Sequence, residues 1–398
     1  MSTYAVTHLD TGKTFTRRTL FVNPHHDVSK IWQSDVNPAV EAFHRQLPDY
    51  GETQLHSLPE VAAELGFAHV FVKDESTRFG LPSFKILGAS WAVHRAVCQR
   101  LNLPSSTSLA HLQEPLKHGA DVRLVTCTDG NWGRACARMA KQLGVAITIY
   151  VPAFMVDYTQ NLLQSEGAEV RVVANGTYDD AIAAVKRDAE STGALMVMDT
   201  SWEGYEEVPG WVTEGYSTML HETDRQVAAL TSGRPPNLVV GSVGVGSWMH
   251  AVTSHYKALN PGNKVVTVEP DTAACLKESL HTGQLTSVNT SDTIMCGMNC
   301  GTPSAIAWPV LKDGVDMAVT VTDRESHESV KYLHSQGVNT GPCGAATLAA
   351  LRRVCANDML GQRKEDVVVL FSTEGMREYD VPVLSAPIVS TYSDKSAR

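Results

Sequence analysis

Eight short apolar runs, alternating with helical stretches, constrain this chain more than any other feature. They fall at 122–126, 146–151, 169–174, 195–199, 238–243, 264–269, 317–322 and 366–372. The runs are rich in Val and Ile and nearly free of polar interruption, as strands covered on both faces should be. Amphipathic stretches of helical period lie between them, at 132–143, 156–166, 178–191, 247–259 and 325–336. This alternation predicts an α/β fold of βαβ units with right-handed crossovers and a mostly parallel sheet. In such sheets ligands gather at the C-terminal ends of the strands. Three polar loops fall there, at 128–131, 241–246 and 372–375.

The chain has 398 residues, long for one core, so two domains are expected. The Gly-, Trp- and Tyr-rich stretch 204–216 reads as a connection between them, and 101–120 as a surface excursion, irregular or helical. With 43% hydrophobic and 19% charged residues, the composition is that of a soluble globular enzyme. A net charge of −10 argues against a nucleic-acid surface. No run approaches the roughly 18 apolar residues that span a bilayer. The first ten residues lack a basic stretch followed by an apolar core, so no secretory leader is expected. Most of the eight cysteines fall in apolar patterns, which suggests reduced thiols in the cytoplasm. Cys296 and Cys300 have no second Cys/His pair at matching spacing, so no metal site is expected.

Lys85 stands after a Gly/Pro turn and before a helical pattern, upstream of two glycine-containing loops. A lysine so placed suits a pyridoxal 5'-phosphate (PLP) enzyme, in which the amine forms a Schiff base and backbone amides hold the phosphate. Gly241-Ser-Val-Gly244-Val-Gly246 ends a strand and opens a helix, where glycines and the helix N-terminus favour an anion. Gly241, Val243, Gly244, Val245 and Gly246 are the candidate phosphate cup. The same loop could serve a dinucleotide, with Glu269 downstream as the ribose acid. The βα units that precede it favour the phosphate cup. Thr128 and Asn131 serve either to cap a helix or to hold a substrate carboxylate and the cofactor's phenolic oxygen. Asp129 between them is a candidate proton-abstracting base. Asp199 either caps the segment that follows it or supplies a second active-site carboxylate. Ser372 and Thr373 are placed to meet the pyridine nitrogen. A neutral hydroxyl there weakens the electron sink and favours elimination.

These stretches together resemble the diaminopropionate ammonia-lyases, of the fold-type-II PLP enzymes that include tryptophan synthase β and threonine dehydratase. The resemblance runs from about residue 21 to 374. It is carried by Asp74-Glu-Ser-Thr-Arg-Phe-Gly-Leu-Pro-Ser-Phe-Lys85, Thr128-Asp-Gly-Asn-Trp-Gly-Arg134, Asp199-Thr-Ser-Trp-Glu-Gly-Tyr205, Gly297-Met-Asn-Cys-Gly-Thr-Pro303 and Ser372-Thr-Glu-Gly375. It implies a homodimer, with a large PLP-binding domain of 1–88 and 200–398 and a small mobile domain of 89–199. It also implies that Ser83, Thr128, Asp129, Asp199 and Tyr205 bind substrate, and that Asp129 serves the D-substrate and Asp199 the L-substrate. Trp132 departs from the family's Asp-Gly-Asn-His-Gly pattern, and an indole there is expected to reshape the pocket. The expected reaction is α,β-elimination of ammonia from 2,3-diaminopropionate, giving pyruvate and two ammonia. A serine or threonine dehydratase and a β-replacement enzyme share every cofactor contact. A nucleotide-binding α/β protein would leave Lys85 and Ser372 without a role.

Overall fold

A computed structural model describes residues 2–31, 37–128, 130–174, 178–359 and 364–382. Within them the strands are β1 (Thr3–Thr7), β2 (Thr14–Arg18), β3 (Leu20–Val22), β4 (Leu55–Ser57), β5 (His69–Asp74), β6 (Arg123–Cys127), β7 (Ala146–Pro152), β8 (Glu169–Val173), β9 (Leu195–Met196), β10 (Leu238–Ser242), β11 (Lys264–Pro270), β12 (Met317–Val321) and β13 (Val367–Ser372). They form a β1-β2 hairpin, a seven-stranded sheet ordered β3-β12-β11-β10-β13-β5-β4, and a four-stranded sheet ordered β8-β7-β6-β9.

The larger sheet is parallel from β12 to β5 and is closed at each edge by a three-residue antiparallel strand. Its inner strands β10, β12 and β13 are buried along their whole length, which is why their sequences run apolar without alternation. Val239 pairs with Val265 on one side and Val369 on the other, so the C-terminal ends of β10, β11 and β13 come out side by side. The smaller sheet is parallel throughout, with the half-exposed β8 at one edge. Its strands all lie within 89–199, and every strand of the larger sheet lies outside that range.

All eight expected strands are present, one much shortened. β9 was expected over 195–199 and ends at Met196. Beyond it the Val197 N–H still donates to the Val125 carbonyl of β6 at 3.0 Å, and the Tyr205 hydroxyl accepts the Met198 N–H at 3.1 Å. The connection at 204–216 contains the helix Glu207–Gly215, and the excursion at 101–120 contains Leu109–Lys117. Helix Glu207–Gly215 crosses helix Lys85–Arg100 closely, for a Cβ on Gly215 would lie 2.6 Å from the Leu87 carbonyl oxygen.

The chain's approach to Lys85 is anchored below by buried charge. Lys73, Glu75, Arg78 and Glu222 have fully buried side chains. Arg78 bonds Glu75 at 2.7 Å and Glu222 at 2.9 Å, and Lys73 also pairs with Glu222. The Thr53 hydroxyl joins Glu75 at 2.7 Å. Immediately after Arg78, buried Phe79 takes φ 49° and ψ 43°, a left-handed conformation that a bulky side chain adopts only under constraint.

Candidate active site

Lys85 opens its helix, and the residues before it lie along the end of β13. Ser83 bridges Glu374, the Phe84 N–H donates to the Thr373 carbonyl at 3.3 Å, and the Gly375 N–H donates to the Pro82 carbonyl at 2.9 Å. Ser83 Oγ accepts the Lys85 N–H at 3.4 Å. The Lys85 Nζ donates to Asp199 Oδ2 at 2.5 Å, across 114 residues of sequence. Burial pulls the lysine pKa down, but the adjacent Asp199 carboxylate outweighs it and holds the amine above the usual lysine range. In this state the amine is a protonated cation with a proton acceptor already in contact.

Asp199 is tied in turn to the glycine loop. Its carbonyl accepts from the Ser247 hydroxyl, in the first turn of helix Ser247–Leu259. Two residues on, Ser201 Oγ and Ser304 Oγ share a 2.7 Å hydrogen bond, and the Ser304 N–H donates to the Val245 carbonyl at 2.7 Å. Lys85, Asp199 and the loop at 241–246 are therefore one hydrogen-bonded neighbourhood.

Within that loop the candidate residues separate. Gly241 belongs to β10, paired with Thr267, and the Val243 N–H donates to the Val268 carbonyl at 2.9 Å. Gly244, Val245 and Gly246 form the free turn. A Cβ on Gly244 would come within 2.8 Å of the Gly297 carbonyl oxygen, and Gly246 takes φ +94°. Gly246 caps helix Ser247–Leu259 with no side-chain hydrogen bond. An uncapped helix N-terminus reached by glycines fits a phosphate group.

Ser372 and Thr373 are buried at the neighbouring strand end. Ser372 Oγ donates to Thr340 Oγ1 at 2.7 Å, and Thr373 Oγ1 shares a 3.2 Å hydrogen bond with Ser242 Oγ. Asn131, half-buried, opens helix Asn131–Leu143. Thr128 Oγ1 accepts the N–H groups of Gly130 at 2.9 Å and Gly133 at 3.0 Å, so its hydroxyl caps that helix. Asp129 lies outside the described residues. The Tyr205 hydroxyl donates to the Met196 carbonyl at 2.8 Å while accepting from Met198, and its ring stacks on Trp202. Tyr205 thus fixes the backbone leading into Asp199. Trp132 is buried, and its ring centroid lies 5.8 Å from Lys85 Nζ. Glu269 accepts the N–H groups of Leu276 and Lys277 at 2.7 and 2.8 Å. Committed to those amides and fully buried, it has no access to a ribose, which removes the dinucleotide reading. Ser201, Ser247 and Ser304, which join Asp199 to the loop, were not singled out from the sequence. Ser304 directly follows the 297–303 segment that carried part of the resemblance, the one sequence signal near it.

The chain is similar to known proteins over most of its length. The profile of the pyridoxal-phosphate dependent enzyme family matches residues 47–373. The diaminopropionate ammonia-lyase of Salmonella typhimurium strain LT2 is 34% identical over 373 residues, covering 88% of this chain and 92% of that protein. The Escherichia coli diaminopropionate ammonia lyase in complex with D-serine superposes with a TM-score of 0.82 at 28% identity, covering 94% of this chain and 95% of that one. The same E. coli enzyme with an aminoacrylate-PLP azomethine reaction intermediate gives 0.79 at 27% identity, over the same shares of the two chains. The chain is a fold-type-II, pyridoxal-phosphate dependent enzyme and belongs to the diaminopropionate ammonia-lyase family.

Proposed function

We propose that this protein eliminates ammonia from 2,3-diaminopropionate, giving pyruvate and two ammonia. The observation that carries the reading is the Lys85–Asp199 contact at 2.5 Å beside an uncapped glycine loop. Bound PLP supplies an electron sink for charge that develops on the substrate α-carbon. Lys85 is the residue that would hold it covalently, and Asp199 is placed to take the proton its amine must lose first. The amides of Gly244, Val245 and Gly246 would hold the phosphate, with Gly241 and Val243 setting the loop's entry from the sheet. Thr373 and Ser372 would meet the pyridine nitrogen, and Asn131 the phenolic oxygen. Ser83 and Thr128 border the carboxylate end of the substrate, and Tyr205 keeps Asp199 in register.

Asp199, once clear of Lys85 and with that proton passed on to water, is a base for one face of the α-carbon. Asp129 is the base for the other, a role supported by its place beyond β6. Lys85, freed from the cofactor and holding the proton that the substrate's α-ammonium sheds, would pass it to the departing β-nitrogen. The aminoacrylate product then hydrolyses in water. The same reading makes 1–88 with 200–398 the large domain and 89–199 a small domain that moves. It also describes a cytoplasmic homodimer. Sedimentation of the purified protein measures the oligomeric state.

The deciding experiment is a panel of D- and L-diaminopropionate, serine and threonine, scored for keto acid and ammonia. Two ammonia per pyruvate from diaminopropionate, at the highest kcat/KM of the panel, is expected. A clear preference for serine or threonine would replace this reading with the dehydratase one.

A further inference from the structure

The Lys85 ammonium rests in a site of definite chemistry. It touches Asp199 Oδ2 at 2.5 Å and stands 5.8 Å from the Trp132 ring centroid and 5.9 Å from that of Phe84. Both distances fall within the roughly 6 Å over which a ring face attracts a cation. Neither ring is free to turn away. The Trp132 Nε1–H donates to Thr126 Oγ1 at 3.1 Å and to the Val197 carbonyl at 3.4 Å, bridging the strands that lead to Thr128 and to Asp199. Phe84 packs against Tyr216 and Trp248, with centroids at 5.0 and 5.2 Å. A carboxylate beside two aromatic faces is a cradle that suits a second amino group of a substrate.

We propose that Trp132 is the specificity-determining wall of this site, selecting substrates whose β-substituent is an ammonium over those with a β-hydroxyl. This rests on the function proposed above and names what distinguishes its substrate. A hydroxyl can donate a hydrogen bond to Asp199, but it carries no charge for the indole face to attract. The ammonium gains both contacts. Being buried and bonded to Val197, the indole also contributes without any rearrangement on binding.

The test separates the ring's charge from its shape. Tryptophans carrying one to four fluorines, placed at position 132 alone, keep the volume and the N–H while draining electron density from the ring face. Calorimetry on each holoenzyme would measure binding of β-alanine and of 3-hydroxypropionate, which differ in an ammonium and a hydroxyl and carry no second amino group. The expected result is a stepwise loss of β-alanine affinity, reaching about two- to thirty-fold at four fluorines, with 3-hydroxypropionate unchanged. A flat series for β-alanine, or equal loss for both ligands, overturns the proposal. Trp132→Leu should lower the kcat/KM ratio of diaminopropionate over serine by a similar factor with cofactor content intact, and an unchanged ratio counts against it equally. Because the calorimetric series needs no turnover, a holoenzyme inert toward diaminopropionate but with fluorine-dependent β-alanine binding would refute the proposed reaction and leave the cation wall standing. Turnover with a flat series would do the reverse.

Discussion

After β6 the chain enters helix Asn131–Leu143 with the Thr128 hydroxyl already accepting two of the turn's N–H groups. After β10 it enters helix Ser247–Leu259 through Gly246, which has no side chain to cap the amides. Both loops leave the C-terminal ends of parallel strands, yet one satisfies its own backbone and the other leaves it for a guest. A third loop lies between these extremes. After β11 the Glu269 carboxyl itself accepts the N–H groups of Leu276 and Lys277, an internal cap for that turn. On the proposed reading, the phosphate site arises from withholding a cap, since no Lys or Arg is needed to make it.

The largest expected effect breaks the open loop. Gly244→Asp puts bulk against the Gly297 carbonyl and negative charge at the helix N-terminus, so the purified protein should carry essentially no PLP by absorbance. Full cofactor content in that variant would place the phosphate elsewhere. Next, the carboxylates attached to the two loops can be set against each other. Asp129→Asn should slow turnover of D-diaminopropionate, and Asp199→Asn that of L-diaminopropionate, each by about 10²–10⁴-fold in kcat, with the other enantiomer less affected. Equal losses on both enantiomers from each variant would mean that the two aspartates are not face-specific.

The internal carboxyl cap of the third loop gives a pH prediction. Burial raises the Glu269 carboxyl from its ordinary 4.5 to about 7, against the two amides that pull it down. The folded chain thus keeps a proton that the unfolded chain releases. The stability linked to this group is full below pH 4.5 and is lost as pH rises through 7. Glu269→Gln cannot ionise, so it should flatten that decline, by about 3 kcal/mol at most between pH 5 and 8 in urea unfolding. An unaltered slope would show the carboxylate to be charged in the fold. The smallest effect belongs to the self-capped loop. Thr128→Val should cost about 1 kcal/mol of stability with cofactor content unchanged. A concurrent rise in KM would show that the hydroxyl also reads the substrate.

How much of this could be read from the sequence follows from what surrounds each element. Strands covered on both faces announce themselves by unbroken Val and Ile, and β10, β11, β12 and β13 were legible for that reason. β5 was not, although it lies inside the larger sheet, because Lys73 and Asp74 break its apolar run. Helix Pro342–Ala356 was missed for the opposite cause: it is buried nearly all round and so lacks an amphipathic period. Lys85 and the glycine loop were legible because few other roles demand those residue types in that order. The contact between Lys85 and Asp199 spans 114 residues and leaves no trace in local spacing. Ser247, Ser201 and Ser304 hold the site together through hydroxyls indistinguishable in sequence from any loop serine.

The buried charges beneath the lysine loop carry a consequence for how this chain can vary. Lys73 and Glu222 meet across 149 residues, and with Glu75 and Arg78 they place two positive and two negative groups where water does not reach. Losing any one member strands an uncompensated charge, at about 3–5 kcal/mol, whereas exchanging a matched pair for well-packed apolar residues is often neutral. Residues 73, 75, 78 and 222 are therefore inherited together or replaced together, and descendants of this sequence should differ at none of these positions or at more than one.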